Sequence, residues 1–392
     1  MTDSLYIAWK YLSFSKARTL TLVACVTLIA VLPLSLELLL SESERQLASR
    51  AESTPLLVGT KGSALDLVMS SLYFSDEVPE LISMAEAEAV MDSGLALPVP
   101  LYIRFRARGY PIVGTSLDYF EFRGLRIAEG RNLAMLGECV LGAAVAEELG
   151  LAPGDSLLSS PETLFDLAGI YPLKMRIVGV LERSHTSDDR AVFVDVKTAW
   201  VIQGLVHGHQ DVTAVTDPTL VMDRSGGNVT ATAKLVRYSE VTEDNLDSFH
   251  FHGDPAEYPL TAVIALPFDK KSSALLRGRY IGDEMTEQIV RPKEVIDSLL
   301  ANIFRIKNLL DSVILVVAAA TLMALALVFA LSLRLRQREI ETIFRLGCSR
   351  ATIARLLGAE IVLILAMAGV LCAGLLMLLA HFDETLVRNL IA

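Results

Sequence analysis

Four cysteines and two tryptophans in 392 residues are few, and two short motifs of soluble enzymes, the phosphate loop and the nucleophile elbow, are missing. Cys25 and Cys372 fall inside apolar runs, Cys348 in a basic connector, and only Cys139 in the long polar middle of the chain. No intrachain disulfide is therefore available to that middle segment, even in an oxidising compartment. No G-x-x-x-x-G-K-[ST] phosphate loop occurs. The VGTKGS run at 58–63 has the right residue types, but too closely spaced to wrap phosphates, and reads as a turn. The chain is therefore not expected to be an enzyme or to hydrolyse ATP alone, and no cofactor is expected in it. No serine is framed by G-x-S-x-G, which removes the common hydrolase arrangement. A net charge of −11 argues against nucleic acid as a partner.

What is present is apolar length. Mean hydropathy is +0.46, yet 21% charged residues exclude a chain buried in membrane from end to end. The runs Leu20–Leu40, Asp311–Leu333 and Leu356–Ala380 are each long enough to cross a hydrocarbon core of about 30 Å. Residues 1–41 and 308–392 each sum to about +1, which leaves about −13 on the segment between them. Lys10, Lys16 and Arg18 precede the first run and place the N-terminus inside. A cleaved signal peptide is the alternative, but its apolar core is about 7–15 residues long. The expected layout is an interfacial helix at 1–18, a first span at 19–41 and an extracytoplasmic domain with stalk helices at 42–307. A second span at 308–333, a cytoplasmic loop at 334–355, a third span at 356–380 and a short external tail at 381–392 complete it. The fold class is thus an α-helical transmembrane region joined by stalk helices to a mixed α/β extracytoplasmic domain.

In the first 18 residues Leu5, Ala8, Trp9 and Leu12 recur at helical spacing, as in a helix lying in the inner interface with Trp9 at headgroup depth. The stalks are expected where 34–51 and 291–308 continue an apolar run as helix. In the outer domain β-like runs at 56–59, 101–105, 112–114, 138–142, 175–181, 191–194, 229–236 and 260–266 alternate with turns. Helical stretches at 143–149 and 197–205 interleave, which is a mixed α/β pattern. His207 and His209, then His250 and His252, form two i, i+2 pairs that strand alternation would put on one face each. If the pairs converge they could hold Zn²⁺, with Asp211 or Asp254 as an oxygen ligand. Polar loops that carry histidine by chance are the plainer reading.

The connector SLRLRQREIETIFRLGCSRATIARLLGAE, 332–360, carries Arg334, Arg336, Arg338, Arg345, Arg350 and Arg355 against Glu339 and Glu341 before its last residue. Such a loop stays on the cytoplasmic side. Ile340, Ile343, Phe344 and Leu346 add an apolar helical stripe, broken by Gly347, and Ser349 is placed to cap a following helix. A basic loop with an apolar stripe suits docking of a cytoplasmic protein; a plain connector held inside by its charge is the alternative.

The layout and this loop resemble the permease subunits of the MacB/LolC/LolE/FtsX class of ABC transporters. Arg338, Glu339, Ile340, Leu346, Gly347, Ser349 and Ile353 fall on the class pattern R-E-I-x-x-x-R-x-L-G-A-S-x-x-x-I. Phe344 stands where a second arginine is usual, and Cys348 replaces the alanine. Residues 8–22, 130–157 and 175–200 are similar to other segments of the class. The class has four spans, whereas only three are evident here. The resemblance implies a cell inner membrane protein that moves its outer domain when a partner ATPase closes on ATP. It implies two ATPase subunits carrying ATP and Mg²⁺, a second permease copy, identical or related, and room for a periplasmic partner. The ATPase-coupling residues would be Arg338, Glu339, Ile343, Arg345, Leu346, Gly347 and Arg350. A membrane-anchored extracytoplasmic sensor or metal-binding protein without an ATPase is the alternative function.

Overall fold

Helix propensity and apolar length act together at both ends of the chain, and the alternating polar middle folds as a sheet. In the computed structural model residues 2–77, 79–160, 172–208, 221–225, 228–231, 239–251, 253–282, 285–335, 337, 341–342, 345 and 349–391 are described. The chain begins with α1 (Thr2–Phe14) and α2 (Lys16–Ser53), followed by β1 (Leu56–Thr60), α3 (Ala64–Tyr73), β2 (Ile82–Ser83) and α4 (Met84–Asp92). Next come β3 (Ala96–Ala107), β4 (Tyr110–Thr115), α5 (Leu117–Arg123), β5 (Ile127–Gly130), β6 (Glu138–Leu141), α6 (Ala143–Leu149) and β7 (Ser156–Leu158). Then β8 (Leu173–Leu181), a 3-10 turn at Ser187–Arg190, β9 (Val192–Asp195), α7 (Val196–Gln203), β10 (Val206–Gly208), β11 (Val221–Ser225) and β12 (Asn228–Ala231) follow. The last group is β13 (Ser239–Glu240), β14 (Phe249–Phe251), β15 (Pro259–Leu260), β16 (Ala262–Pro267), α8 (Lys270–Arg279), β17 (Glu287–Val290), α9 (Pro292–Leu335) and α10 (Arg350–Ile391).

Two compact units result, one of 1–47 with 299–392 and one of 48–298. In the first, Thr19–Leu38 of α2 and Ala351–Leu379 of α10 are long and apolar enough to cross a membrane. Within α9 the apolar stretch among the described residues is the shorter Leu309–Ala324. At about 1.5 Å per residue the 38 residues of α2 reach about 57 Å, well beyond a hydrocarbon core of about 30 Å. The helix continues through Pro33. Only part of the expected interfacial face of α1 is open to a bilayer. Ala8 and Leu12 are buried, and Leu12 packs with Leu22 of α2 and Ile364 of α10. Trp9 stays exposed. The Thr19 hydroxyl donates to the Leu12 carbonyl at 2.9 Å and ties the corner between α1 and α2.

Among the described residues the second unit is built on a mixed eleven-stranded sheet in the order β13-β8-β6-β9-β4-β3-β16-β1-β17, with β5 and β7 also paired to β8. β4 with β9, β6 with β8 and β13 with β8 run parallel. Such pairs need crossovers, and helices α5, α6 and α7 each follow a strand directly. Tyr102, Ile112, Leu141, Leu173 and Phe193 are fully buried on its strands. A Cβ on Gly114 would lie 2.7 Å from that of Ala199, so α7 approaches β4 as closely as it does because no side chain stands there.

β3 is longer than its sequence pattern predicts and includes Pro98 and Pro100, which lack a ladder donor. The register explains the tolerance. β16 pairs with residues 96–101, whereas β4 pairs only from Leu101 onward. Pro100 turns its carbonyl towards β4 and accepts there from the Thr115 hydroxyl at 2.8 Å, so no strand asks for its missing N–H. Cys139 sits in the middle of the sheet, buried, and burial pushes its thiol pKa up. Among the described residues no cysteine is in a disulfide.

Candidate functional site

The last turn of α2 carries Arg50 into the second unit, where it is 5% exposed. Its Nη1 donates to Asp188 Oδ2 at 2.6 Å, and Nη2 donates to Asp188 Oδ1 at 2.9 Å. Nη2 also donates to the Tyr119 hydroxyl at 2.9 Å, and that hydroxyl donates to Asp188 Oδ1 at 2.7 Å. Nε donates to the carbonyl of Leu72 at the end of α3. The guanidinium is thus a two-pronged clamp on one carboxylate, a geometry that fixes direction as well as distance. Burial alone would raise the Asp188 pKa, but the Arg50 charge and the hydrogen bonds from Arg50 and Tyr119 outweigh it and hold the carboxyl below its usual range. Burial, partly offset by Arg50, pushes the Tyr119 hydroxyl up to about 12, so it stays a donor at neutral pH.

The loop that presents Asp188 is locked from within. Thr186 Oγ1 donates to Asp188 Oδ2 at 3.0 Å. The Asp189 carboxylate accepts from the Ser184 amide and hydroxyl, at 2.8 Å each, and from the His185 amide at 2.8 Å. Gly142 lies against the Asp188 and Asp189 carbonyls, where any Cβ would collide with them. On the other side Arg123 of α5 donates to the hydroxyls of Ser53 at 3.0 Å and Thr54 at 2.9 Å. The end of α2 is therefore held by α3, α5 and the 187–190 turn. At the start of α9, Lys293 Nζ lies 3.1 Å from Glu52 Oε1.

Of the expected ATPase-coupling residues, Arg338, Glu339, Ile343, Leu346 and Gly347 lie outside the described residues. Arg345 is helical, exposed, and pairs with Glu341 at 2.7 Å. Arg350 opens α10, and the Ser349 hydroxyl accepts from the Thr352 amide at 3.3 Å, which is the expected cap. The histidines are partly brought together. β10 and β14 form a separate antiparallel ribbon in which His207 stands directly opposite His250. His250 Nδ1 lies 3.1 Å from the Ser248 carbonyl. His209, His252 and Asp211 lie outside the described residues. Asp254 is used otherwise, its carboxylate capping the Ala256 amide at 2.9 Å. Among the described residues no group of three or more His, Cys, Asp or Glu side chains could hold a metal.

The family model of the MacB-like periplasmic core domain matches residues 22–237, more than half of the chain. The chain belongs to this family. As a MacB-like ABC transporter permease it is a membrane protein with an extracytoplasmic domain. The permease is similar to the periplasmic region of MacB from Actinobacillus actinomycetemcomitans, with 10% identity over 64% of this chain and 97% of that one, at a TM-score of 0.34. It is also similar to the extracellular domain of the noncanonic ABC-type transporter YknZ from Gram-positive bacteria, with 10% identity over 60% and 98% and a TM-score of 0.33. No curated protein matches it.

Sequence reasoning about this MacB-like permease misses Arg50, Tyr119 and Asp188 altogether. Arg50 reads as one more charge on a polar helix end, and Asp188 as one of two acids in a loop. The single local hint is the SDDR run at 187–190, too short to bury its own charges and so in need of partners from elsewhere.

Proposed function

We propose that this permease couples ATP hydrolysis on a separate ATPase to movement of its extracytoplasmic domain, in export or extraction of an envelope substrate. The observation that carries the proposal is the family match over 22–237, together with two helices, Lys16–Ser53 and Pro292–Leu335, that each join apolar sequence to the outer domain. A continuous helix is stiff enough to deliver a displacement over its whole length. Two ATPase subunits, holding ATP and Mg²⁺, would dock on the connector from Arg338 to Arg350. A second permease copy, identical or related, and a periplasmic partner would complete the assembly in the inner membrane. Gly347→Pro and Leu346→Asp are expected to leave the protein in the membrane while uncoupling ATP hydrolysis from its envelope function. Wild-type ATP-dependent function in both variants would refute the assignment.

The cross-strand placement of His207 and His250 favours a second reading, a membrane-anchored extracytoplasmic sensor that binds zinc. Isothermal titration of the purified full chain with Zn²⁺ tests it. On this reading His207→Ala/His250→Ala abolishes a saturable site. Equal uptake by wild type and the double variant leaves only a polar ribbon.

A further inference from the structure

A buried arginine–carboxylate pair needs a reason, because well-packed apolar residues of similar volume often hold a core together as firmly or better. What an ion pair with matched hydrogen bonds adds is geometry. An apolar helix end can rotate or slide against its neighbours at small cost. A guanidinium held at Nη1, Nη2 and Nε by three different elements cannot do so without breaking several bonds at once. Two of these elements, α5 and the Asp188 turn, lie in the topology away from the strand that α2 enters. α2 runs through Thr54 and Pro55 straight into β1, near one edge of the sheet. α5, which supplies Tyr119, directly follows β4, and the Asp188 turn directly precedes β9. β4 and β9 are adjacent parallel strands, in register from Ile112 with Val192 to Thr115 with Asp195. Arg50 therefore ties the helix end to the β4–β9 pair, across the sheet from the strand that α2 itself enters.

We infer that Arg50 is a positioning residue for transmission, the joint through which a shift or rotation of α2 is delivered to α5 and the Ser187–Arg190 turn rather than lost by slippage. This rests on the proposed coupling of ATP hydrolysis to outer-domain movement. Glu52–Lys293 has a lesser part, since an exposed pair of this kind contributes little.

The test uses the full chain in nanodiscs with the ATPase that co-purifies with it. Spin labels are placed at Leu117→Cys and Phe268→Cys, both exposed, with Cys25, Cys348 and Cys372 replaced by serine. Double electron–electron resonance then reads the distance between the labels with and without ATP and vanadate. Arg50→Met alone strands Asp188 in the core and can fail to fold. Arg50→Met/Asp188→Leu, which replaces the pair by apolar volume, and Tyr119→Phe, which removes one hydroxyl, carry the test. The wild type is expected to change its distance distribution on ATP binding. The double variant is expected to keep wild-type ATP hydrolysis and a wild-type protease pattern while losing that change, and Tyr119→Phe to reduce it. A folded double variant that keeps the full ATP-dependent change overturns the role of Arg50. A wild type with no change at all removes the coupling reading itself, and the joint with it.

Discussion

Replacing Asp188 by Asn keeps the shape of the side chain and removes its charge, leaving the Arg50 guanidinium buried without a counter-ion. Breaking one half of a buried pair costs about 3–5 kcal/mol, because the stranded charge keeps its desolvation penalty. The upper half of that range applies here, since Arg50 is 5% and Asp188 1% exposed. With a urea m-value of about 3 kcal/mol/M, the unfolding midpoint of the outer unit falls by about 1–2 M. Trp200 reports it. The indole is buried, donates to the Pro259 carbonyl at 2.9 Å and packs edge-on against Tyr258. Trp9, the only other tryptophan, is removed by Trp9→Phe, so the full-length protein in detergent gives a single-site signal. The sign of the pH dependence follows from the depressed carboxyl. The folded-state pKa of Asp188 lies below its unfolded value of about 3.9. Its stabilisation is therefore complete above about pH 4 and is lost as pH falls through the folded value, and the gap between wild type and Asp188→Asn closes on acidification. A midpoint in Asp188→Asn equal to that of wild type at pH 7 would show that the clamp adds nothing to the outer unit.

Two further outcomes are accessible to simple measurements. Gly142→Ala drives a methyl group into the Asp188 and Asp189 carbonyls, a backbone overlap expected to cost about 1–3 kcal/mol in the same Trp200 assay, whereas Gly150→Ala, with open space around its α-carbon, is strained only by its positive φ. Phe268→Cys, at a position 69% exposed, should react with a membrane-impermeant maleimide from the extracytoplasmic side while the buried Cys139 stays silent; labelling only after the membrane is broken would place the domain in the cytoplasm.

Local signals carried a good part of the architecture. The helix expected at 143–149 is α6, bounded by Gly142 and Gly150, and the strands expected at 56–59, 112–114, 138–142, 175–181 and 191–194 each lie in a strand or run one residue beyond it. In these places apolar alternation and a flanking glycine act within a few residues of each other. α3 shows the limit of such reading. Its first turn is capped by Ser63, whose hydroxyl accepts from the Asp66 amide at 3.2 Å, yet the adjoining VGTKGS run reads as no more than a turn. The 12-residue length of β3 was equally hidden, because two prolines mark a strand as broken unless its neighbours are known.

Composition and order along the chain determined that apolar helices flank an acidic α/β insert, since hydrophobic length and charge need no partner to be read. The basic connector with its capping serine belongs to the same kind of information. Only the tertiary structure decided which charges are buried and what they meet. Arg50 and Asp188 are 138 residues apart, and His207 is paired in register with His250, 43 positions along the chain. Neither separation leaves a period or a motif. A pairing of that kind arises when the sheet brings the ends of β4 and β9 together and the last turn of α2 enters beside them, where a buried guanidinium must find a carboxylate or the helix end cannot dock.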